Sequence, residues 1–182
     1  SEKVFVSRDY HFNKVKTFHH MMDERTQEEP RAWDLEGATH RAGFKIEELV
    51  EFVRAASPSE EDFGQALSQL HQALDKAADK VAKKTPAQQD LIGQVDALID
   101  TLYFTYGSFV LMGVDPERIF DIVHQANMGK IFPDGKAHFD PVTHKILKPD
   151  DWEEKYAPEP AIKKELQRQL KAYERHKERN RQ

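Results

Sequence analysis

The sequence has no cysteine and no long uninterrupted hydrophobic run. Without cysteine, disulfide frameworks, thiol nucleophiles and Cys-ligated zinc are excluded. The longest apolar stretch, Leu98 to Val114, contains Asp100, so it is too short and too charged for a transmembrane helix. The first residues include no apolar segment of the kind that a secretory or transit signal needs. We therefore expect a cytoplasmic protein with no membrane partner.

Charge is distributed unevenly along the 182 residues, which suffice for one domain that buries about 70% of its unfolded surface. The net charge of −5 argues against a general DNA-binding protein. From Ala161 to the end there are eight Lys or Arg and three Asp or Glu, which leaves a net charge of −10 on residues 1–160. We therefore expect a domain over residues 1–160, a basic extension over 161–182, and metal ions as one use of the acidic residues.

Apolar residues at helical spacing and capping residues predict an all-α bundle of five to six helices. The clearest start signals are Ser59 with Asp62, Thr85-Pro86 and Asp115-Pro116, and Gly129 is a stop signal. The predicted helices span 9–22, 37–56, 59–84, 85–113 and 115–128, with a basic helix from about 160. Residues 131–160 lack this periodicity and predict a long loop that includes a hairpin at most.

The predicted second helix places three carboxylates, Glu47, Glu48 and Glu51, opposite its apolar stripe. A solvated helix face is the ordinary explanation for such a group, since like charges at this spacing cost only about 0.2–0.5 kcal/mol in water. A metal site is the alternative, because carboxylate oxygens are the ligands that Mg²⁺ and Mn²⁺ prefer.

Two further acids, Asp96 and Asp100, lie one turn apart in a strongly apolar helix. We expect Asp100 to be at least half-buried, and a buried carboxylate needs a cation or strong hydrogen-bond donors. No basic residue lies between Gln88 and Glu117 to provide a local ion pair. Carboxylates about 5 Å apart repel by on the order of 3 kcal/mol per pair at an effective dielectric constant of 20, which a divalent cation would offset.

A third group, His124, Asn127 and Lys130, lies at the end of the fifth predicted helix. A lysine and an asparagine beside carboxylate-bound metal suit a polyphosphate, because the lysine supplies charge and the asparagine orients a phosphate or a base edge. We expect Gly129 to let the backbone turn toward a ligand. An ordinary helix C-terminus also explains Lys130 and Gly129.

Taken in order, the segments EELVE, DALIDTLY, HQANMGK, DGK and KILKPDDW resemble the MazG-like all-α nucleoside triphosphate pyrophosphohydrolases. That superfamily includes dimeric dUTPases and phosphoribosyl-ATP pyrophosphohydrolases. The resemblance covers about residues 37–152. The family motif EExxE maps onto Glu47, Glu48 and Glu51, whereas ExxD maps onto residues 97–100 with Ala97 in place of the glutamate. Asp96 is the nearest acid to that position.

This resemblance implies hydrolysis of a nucleotide between its α- and β-phosphates, with Mg²⁺ as cofactor and Mn²⁺ as a substitute. It implies metal binding by Glu48, Glu51, Asp96 and Asp100, and a catalytic role for Glu47 as ligand or general base. Asn127, Lys130, His124 and His40 would contact the nucleotide. The family also assembles as homodimers or homotetramers whose sites are lined by more than one subunit.

Two other functions are compatible with these residues. A non-catalytic nucleotide-binding or assembly module on the same scaffold is suggested by the absent ExxD glutamate. The other hypothesis is a helical protein-interaction domain that uses the basic C-terminal helix. That helix suits contact with RNA or with a neighbouring subunit equally well. The remaining histidines match no zinc pattern. Trp152 either closes over a base or docks the tail.

Overall fold

Seven helices account for most of the computed structural model, which describes residues 7–23, 28–85 and 89–182. Six are long and one, α6, is a helix of five residues. Their bounds are α1 Tyr10–Met22, α2 Leu35–Ala56, α3 Glu60–Ala82, α4 Leu91–Met112, α5 Glu117–Met128, α6 Trp152–Tyr156 and α7 Glu159–Arg181. No strand occurs in the part of the chain that the structure describes, which confirms the all-α prediction.

Local capping explains most helix starts. The side chains of Asp9, Asp34 and Ser59 each accept a hydrogen bond from a backbone N–H in the first turn that follows. The fourth helix begins later than predicted, at Leu91, where the Asp90 carboxylate accepts from the Gly93 N–H at 2.9 Å. The predicted start at Thr85-Pro86 depends on residues 86–88, which lie outside the described residues.

The chain forms two units, and the division falls within α4. The first unit comprises residues 1–28 and 101–182. In it α1 and α7 each pack on α5. Lys14 of α1 pairs with Asp121 of α5 at 3.0 Å, and the His11 ring stacks on Phe120 with the ring centroids 4.0 Å apart. The three buried residues among those described, Ala126, Trp152 and Glu165, all lie in this unit.

The loop between α5 and α6 contains a small hairpin-like element, as the sequence allowed. Phe139 and Ile146 form an isolated antiparallel bridge, and the Asp140 N–H donates to the Lys145 carbonyl at 2.8 Å. His144 takes a positive φ of 59° in the turn between them. The segment therefore has a defined path that leads the chain into α6.

The second unit comprises residues 29–100, with α2, α3 and the first half of α4. Here α2 packs on α3, and Arg54 links the two helices through an ion pair with Glu60 and a contact over the Phe63 ring. None of the described residues of this unit is buried. The predicted core stripe of α3 is therefore wrong for this chain: Phe63 and Leu67 are half-buried, but Leu74 and Val81 are 60% and 58% exposed.

The apolar stripe predicted for α4 is likewise uncovered. Leu91 and Phe109 are half-buried, whereas Val95, Leu98 and Leu102 are exposed. Among the described helices, none packs extensively on α4, which explains why its side chains remain accessible. No described helix combines the length and apolar character that crossing a membrane requires.

Candidate functional site

The acids of α2 lie side by side on an exposed helix face. Glu47, Glu48 and Glu51 are all exposed, while Val50 and Val53 on the other face of the helix are half-buried. Glu47 and Glu51 are one turn apart, so both carboxylates are accessible to the same ligand. The predicted apolar stripe is covered only in part, because its other two residues, Ile46 and Leu49, are 52% and 57% exposed.

The same helix places His40 two turns before Glu47. The His40 ring meets the Phe44 ring edge-on at 4.7 Å, and the Arg41 guanidinium lies 5.7 Å from the Phe44 ring centroid. His40 and Phe44 are both exposed. An aromatic and cationic surface therefore precedes the three glutamates on α2, and it suits the flat face of a nucleobase.

Asp96 and Asp100 occupy the first half of α4 and are both exposed. The expectation that Asp100 is at least half-buried is wrong, because no described helix packs extensively on α4. Two hydrogen bonds attach the first turn of α4 to the segment before α2: the Trp33 N–H donates to Gln94 Oε1 at 2.8 Å, and Gln94 Nε2 donates to the Trp33 carbonyl at 3.1 Å. Within this unit, Gln94 thus fixes the start of the helix that carries the two aspartates.

The five acids provide the right donor chemistry for a divalent cation without forming a complete ligand set. Among the described residues, no group of three or more His, Asp or Glu side chains is close enough to hold a metal ion. Mg²⁺ is usually bound by one or two carboxylates together with water and substrate phosphates. The acid pairs Glu47–Glu51 and Asp96–Asp100 each fit that requirement.

A second set of candidates lies on α5 in the other unit. His124 and Asn127 are half-buried, and Lys130 follows the helix, with its N–H donating to the Asn127 carbonyl at 3.0 Å. Burial lowers the pKa of His124; the nearby Asp121 carboxylate raises it and Lys14 lowers it further. A neutral imidazole can donate or accept a hydrogen bond, so His124 is suited to a polar contact with a ligand.

Trp152 is the residue of this region whose role the sequence left open. It is 6% exposed, and its Nε1 donates to the Ala126 carbonyl at 2.7 Å. Because Ala126 lies in the last turn of α5, the indole satisfies a carbonyl that the helix itself leaves unpaired. Trp152 therefore docks α6 on the end of α5.

Gly129 has a different role from the predicted one. Its φ of −64° is ordinary for a helix, so the backbone turn does not need glycine. The Tyr156 ring of α6 occupies the space in which a Cβ at position 129 would lie. The glycine is needed for this close approach, which sequence spacing gave no means of detecting.

Residues 15–127 match the family of phosphoribosyl-ATP pyrophosphohydrolases. The matched segment contains His40, the five acids, His124 and Asn127. No match was found among functionally curated proteins.

A solved structure is also similar. It is the crystal structure of an Exiguobacterium sp. 255-15 protein, described as a candidate NTP pyrophosphohydrolase. The two sequences are 38% identical, the match covers 92% of this chain and 99% of the other, and the TM-score is 0.83. Since the family match spans more than half of the sequence, the chain belongs to the phosphoribosyl-ATP pyrophosphohydrolase family, within the MazG-like superfamily that its motifs resemble.

Proposed function

We propose that the protein is a Mg²⁺-dependent nucleotide pyrophosphohydrolase. In this proposal it hydrolyses a nucleoside triphosphate, or a related nucleotide, between the α- and β-phosphates and releases a monophosphate and pyrophosphate. The observation that carries the proposal is the exposed carboxylate face of Glu47, Glu48 and Glu51 inside the segment that matches a pyrophosphohydrolase family. The described Exiguobacterium protein supports the same class of reaction.

The acids divide into ligands and a base. Glu48, Glu51, Asp96 and Asp100 are the proposed metal ligands, and Glu47 is the proposed ligand or general base. A glutamate carboxylate can act as general base by accepting a proton from the attacking water. Mg²⁺, or Mn²⁺ in its place, would supply charge neutralisation of the polyphosphate and a lowered pKa for the attacking water.

The nucleotide contacts are assigned to polar residues of α2 and α5. Lys130 supplies a positive charge for a phosphate, and Asn127 offers both a donor and an acceptor to a phosphate, a sugar or a base edge. His124 and His40 are the other proposed contacts. His40 lies on the same helix as the three glutamates, so a nucleotide held at the carboxylates would be near it.

A second copy of the chain is the proposed protein partner. The surface of α4 is apolar, with Phe104, Val110 and Leu111 exposed by 77%, 77% and 90%. Exposed apolar surface of this extent is atypical of a stable monomer. Association of copies through α4, as a homodimer or homotetramer, would bury this surface.

Pyrophosphate release from a panel of nucleotides with Mg²⁺ or Mn²⁺ tests the proposal directly. Glu48→Gln and Asp100→Asn should each reduce kcat by at least about a hundredfold, because each removes a ligand charge without changing side-chain size. Asp75→Asn, which removes an exposed acid of α3, is the matched control and should keep full activity. Circular dichroism spectra should be the same for all three variants.

The panel also separates catalysis from simple binding. A wild-type protein that is stabilised by nucleotides in thermal unfolding, yet releases no pyrophosphate from any of them, would contradict hydrolysis and support the non-catalytic module. Full activity in both ligand variants would instead show that the proposed carboxylates are not the metal site.

A further inference from the structure

The ammonium groups of two lysines lie near the ring of Trp152. The Lys148 ammonium lies 4.3 Å from the ring centroid, and the Lys130 ammonium lies 5.8 Å from it. Lys130 follows α5, whereas Lys148 belongs to the loop before α6. Residues 18 positions apart in sequence thus bring two positive charges to one aromatic side chain.

The ring beneath these lysines is held rigidly. Trp152 is buried, its Nε1 is hydrogen-bonded to Ala126, and its own N–H donates to the Pro149 carbonyl at 2.9 Å. The latter bond closes a turn over residues 149–152, which directs Lys148 back over the indole. The two ammonium groups are therefore positioned by a fixed platform.

The charges at this platform favour an anion. Interaction with one ring is worth about 0.5–1 kcal/mol for an exposed cation, less than a charge-assisted hydrogen bond to an anion. Lys148 forms no ion pair with any residue that the structure describes, and the nearby Asp151 carboxylate is paired with Lys155 at 2.7 Å. Asp150 is the other acid of this turn, and it is exposed. A phosphate chain accepts charge-assisted hydrogen bonds from such ammonium groups.

We propose that Lys148 and Lys130 form a polyphosphate-binding site on the indole of Trp152. The ligand of this site is the phosphate chain of the nucleotide or the pyrophosphate product. This identification of the ligand rests on the proposed function. Lys148 is thereby assigned a ligand-binding role alongside Lys130. The lysines supply point charges, which suit successive phosphates of variable geometry.

Titration of inorganic pyrophosphate in EDTA tests this site, because removing divalent cations leaves the carboxylates without a role in anion binding. Trp33→Phe makes Trp152 the only tryptophan, and the hydrogen bonds of Trp33 use its backbone, so they are retained. Calorimetry gives the Kd, and Trp152 emission reports whether the anion is bound at the ring. In this background Lys148→Gln should raise the Kd at least about tenfold, and Lys145→Gln, a loss of the same charge elsewhere in the loop, should leave it unchanged.

The outcomes separate the two proposals. An unchanged Kd in Lys148→Gln, or pyrophosphate binding with no response of Trp152 emission, would overturn the lysine site whether or not the protein is active. Lysine-dependent pyrophosphate binding in a protein that hydrolyses no nucleotide would support the site and overturn the proposed function. Circular dichroism of Lys148→Gln establishes that the fold is retained.

Discussion

At the scale of single residues, the contact between Gly129 and Tyr156 joins a helix end to the loop that follows it. Gly129 has a helical backbone conformation, and the Tyr156 ring fills the space beside its Cα. Together with the Trp152–Ala126 hydrogen bond, this contact holds α6 against the end of α5. The position of the two lysines at Trp152 depends on that docking.

Gly129→Ala should therefore destabilise the protein by roughly 1 kcal/mol. Alanine gains about 1 kcal/mol of helix propensity over glycine, but the added methyl group must displace the Tyr156 ring, and overpacking costs about 1–3 kcal/mol. Thermal unfolding measures the balance. The control change Gly64→Ala, at a glycine in the second turn of α3 with nothing within 4 Å of a Cβ, should stabilise instead.

A double variant checks the cause. In a Tyr156→Ala background the ring is gone, so Gly129→Ala should become neutral or stabilising. A similar loss of stability in both backgrounds would show that the clash of the added Cβ with the Tyr156 ring is not the cause.

Residue identities predicted the candidate acids but not their surroundings. The placement of Glu47, Glu48 and Glu51 on one exposed face followed from helical periodicity, because all three lie within two turns of one helix. The contacts of Lys148 and Trp152 were not predictable in this way, since they depend on the path of a 23-residue loop between α5 and α6. Local patterns carry no information about where such a loop returns to a helix.

At the scale of whole elements, α7 is attached to α5 by a polar network around Glu165. Its carboxylate is 8% exposed and accepts hydrogen bonds from Arg168 and Gln169, while Arg118 of α5 lies 3.8 Å away. Gln169 also exchanges two hydrogen bonds with the backbone of Asp115, just before α5. The basic terminal helix is thus fixed to the first unit at its N-terminal half.

Glu165 should make this attachment sensitive to acid. Hydrogen bonds from Arg168 and then Gln169 are the main causes that lower the pKa of Glu165 from 4.5 to about 2. Because the folded-state pKa is the lower one, the stabilisation is complete above about pH 4.5 and is lost as the pH falls toward 2. Glu165→Gln should lower the Tm at neutral pH, and the difference from wild type should shrink over that window.

The control for this effect is Glu174→Gln, a change at an exposed acid of the same helix. It should leave the Tm close to the wild-type value across the same range of pH. A Tm difference for Glu165→Gln that is independent of pH would contradict the assigned role of the carboxylate charge.

Most helix boundaries could be predicted from local sequence signals, whereas the packing between helices could not. The end of α5 at Met128 and the capped start of α3 after Ser59 agree with prediction, since caps act within one turn. The Asp90 carboxylate, which accepts from the first turn of α4, sets its observed start, whereas the predicted start at Thr85-Pro86 depends on residues outside the described part of the chain. Burial of the α3 and α4 stripes could not be predicted, because periodicity shows which face is apolar and not what covers it.

At the scale of the whole molecule, the exposed apolar surface of α4 requires an explanation. Ile92, Tyr103 and Leu111 are exposed by 83%, 78% and 90%, and the helix carries only two charged residues, Asp96 and Asp100. Side chains of this kind are what the hydrophobic interface of an obligate dimer buries. We propose that a second copy of the chain covers this surface.

We expect the wild-type protein to sediment as a dimer or tetramer and its Tm to rise with protein concentration, because association stabilises the folded chain by mass action. Leu111→Glu places a charge in the proposed interface and should shift the sedimentation coefficient toward that of a monomer, with a lower Tm. Val142→Glu is the matched control, since Val142 is 83% exposed but lies alone in a loop. A wild-type monomer with a concentration-independent Tm would exclude the assembly. An oligomer that persists in Leu111→Glu would show that the interface does not include the end of α4.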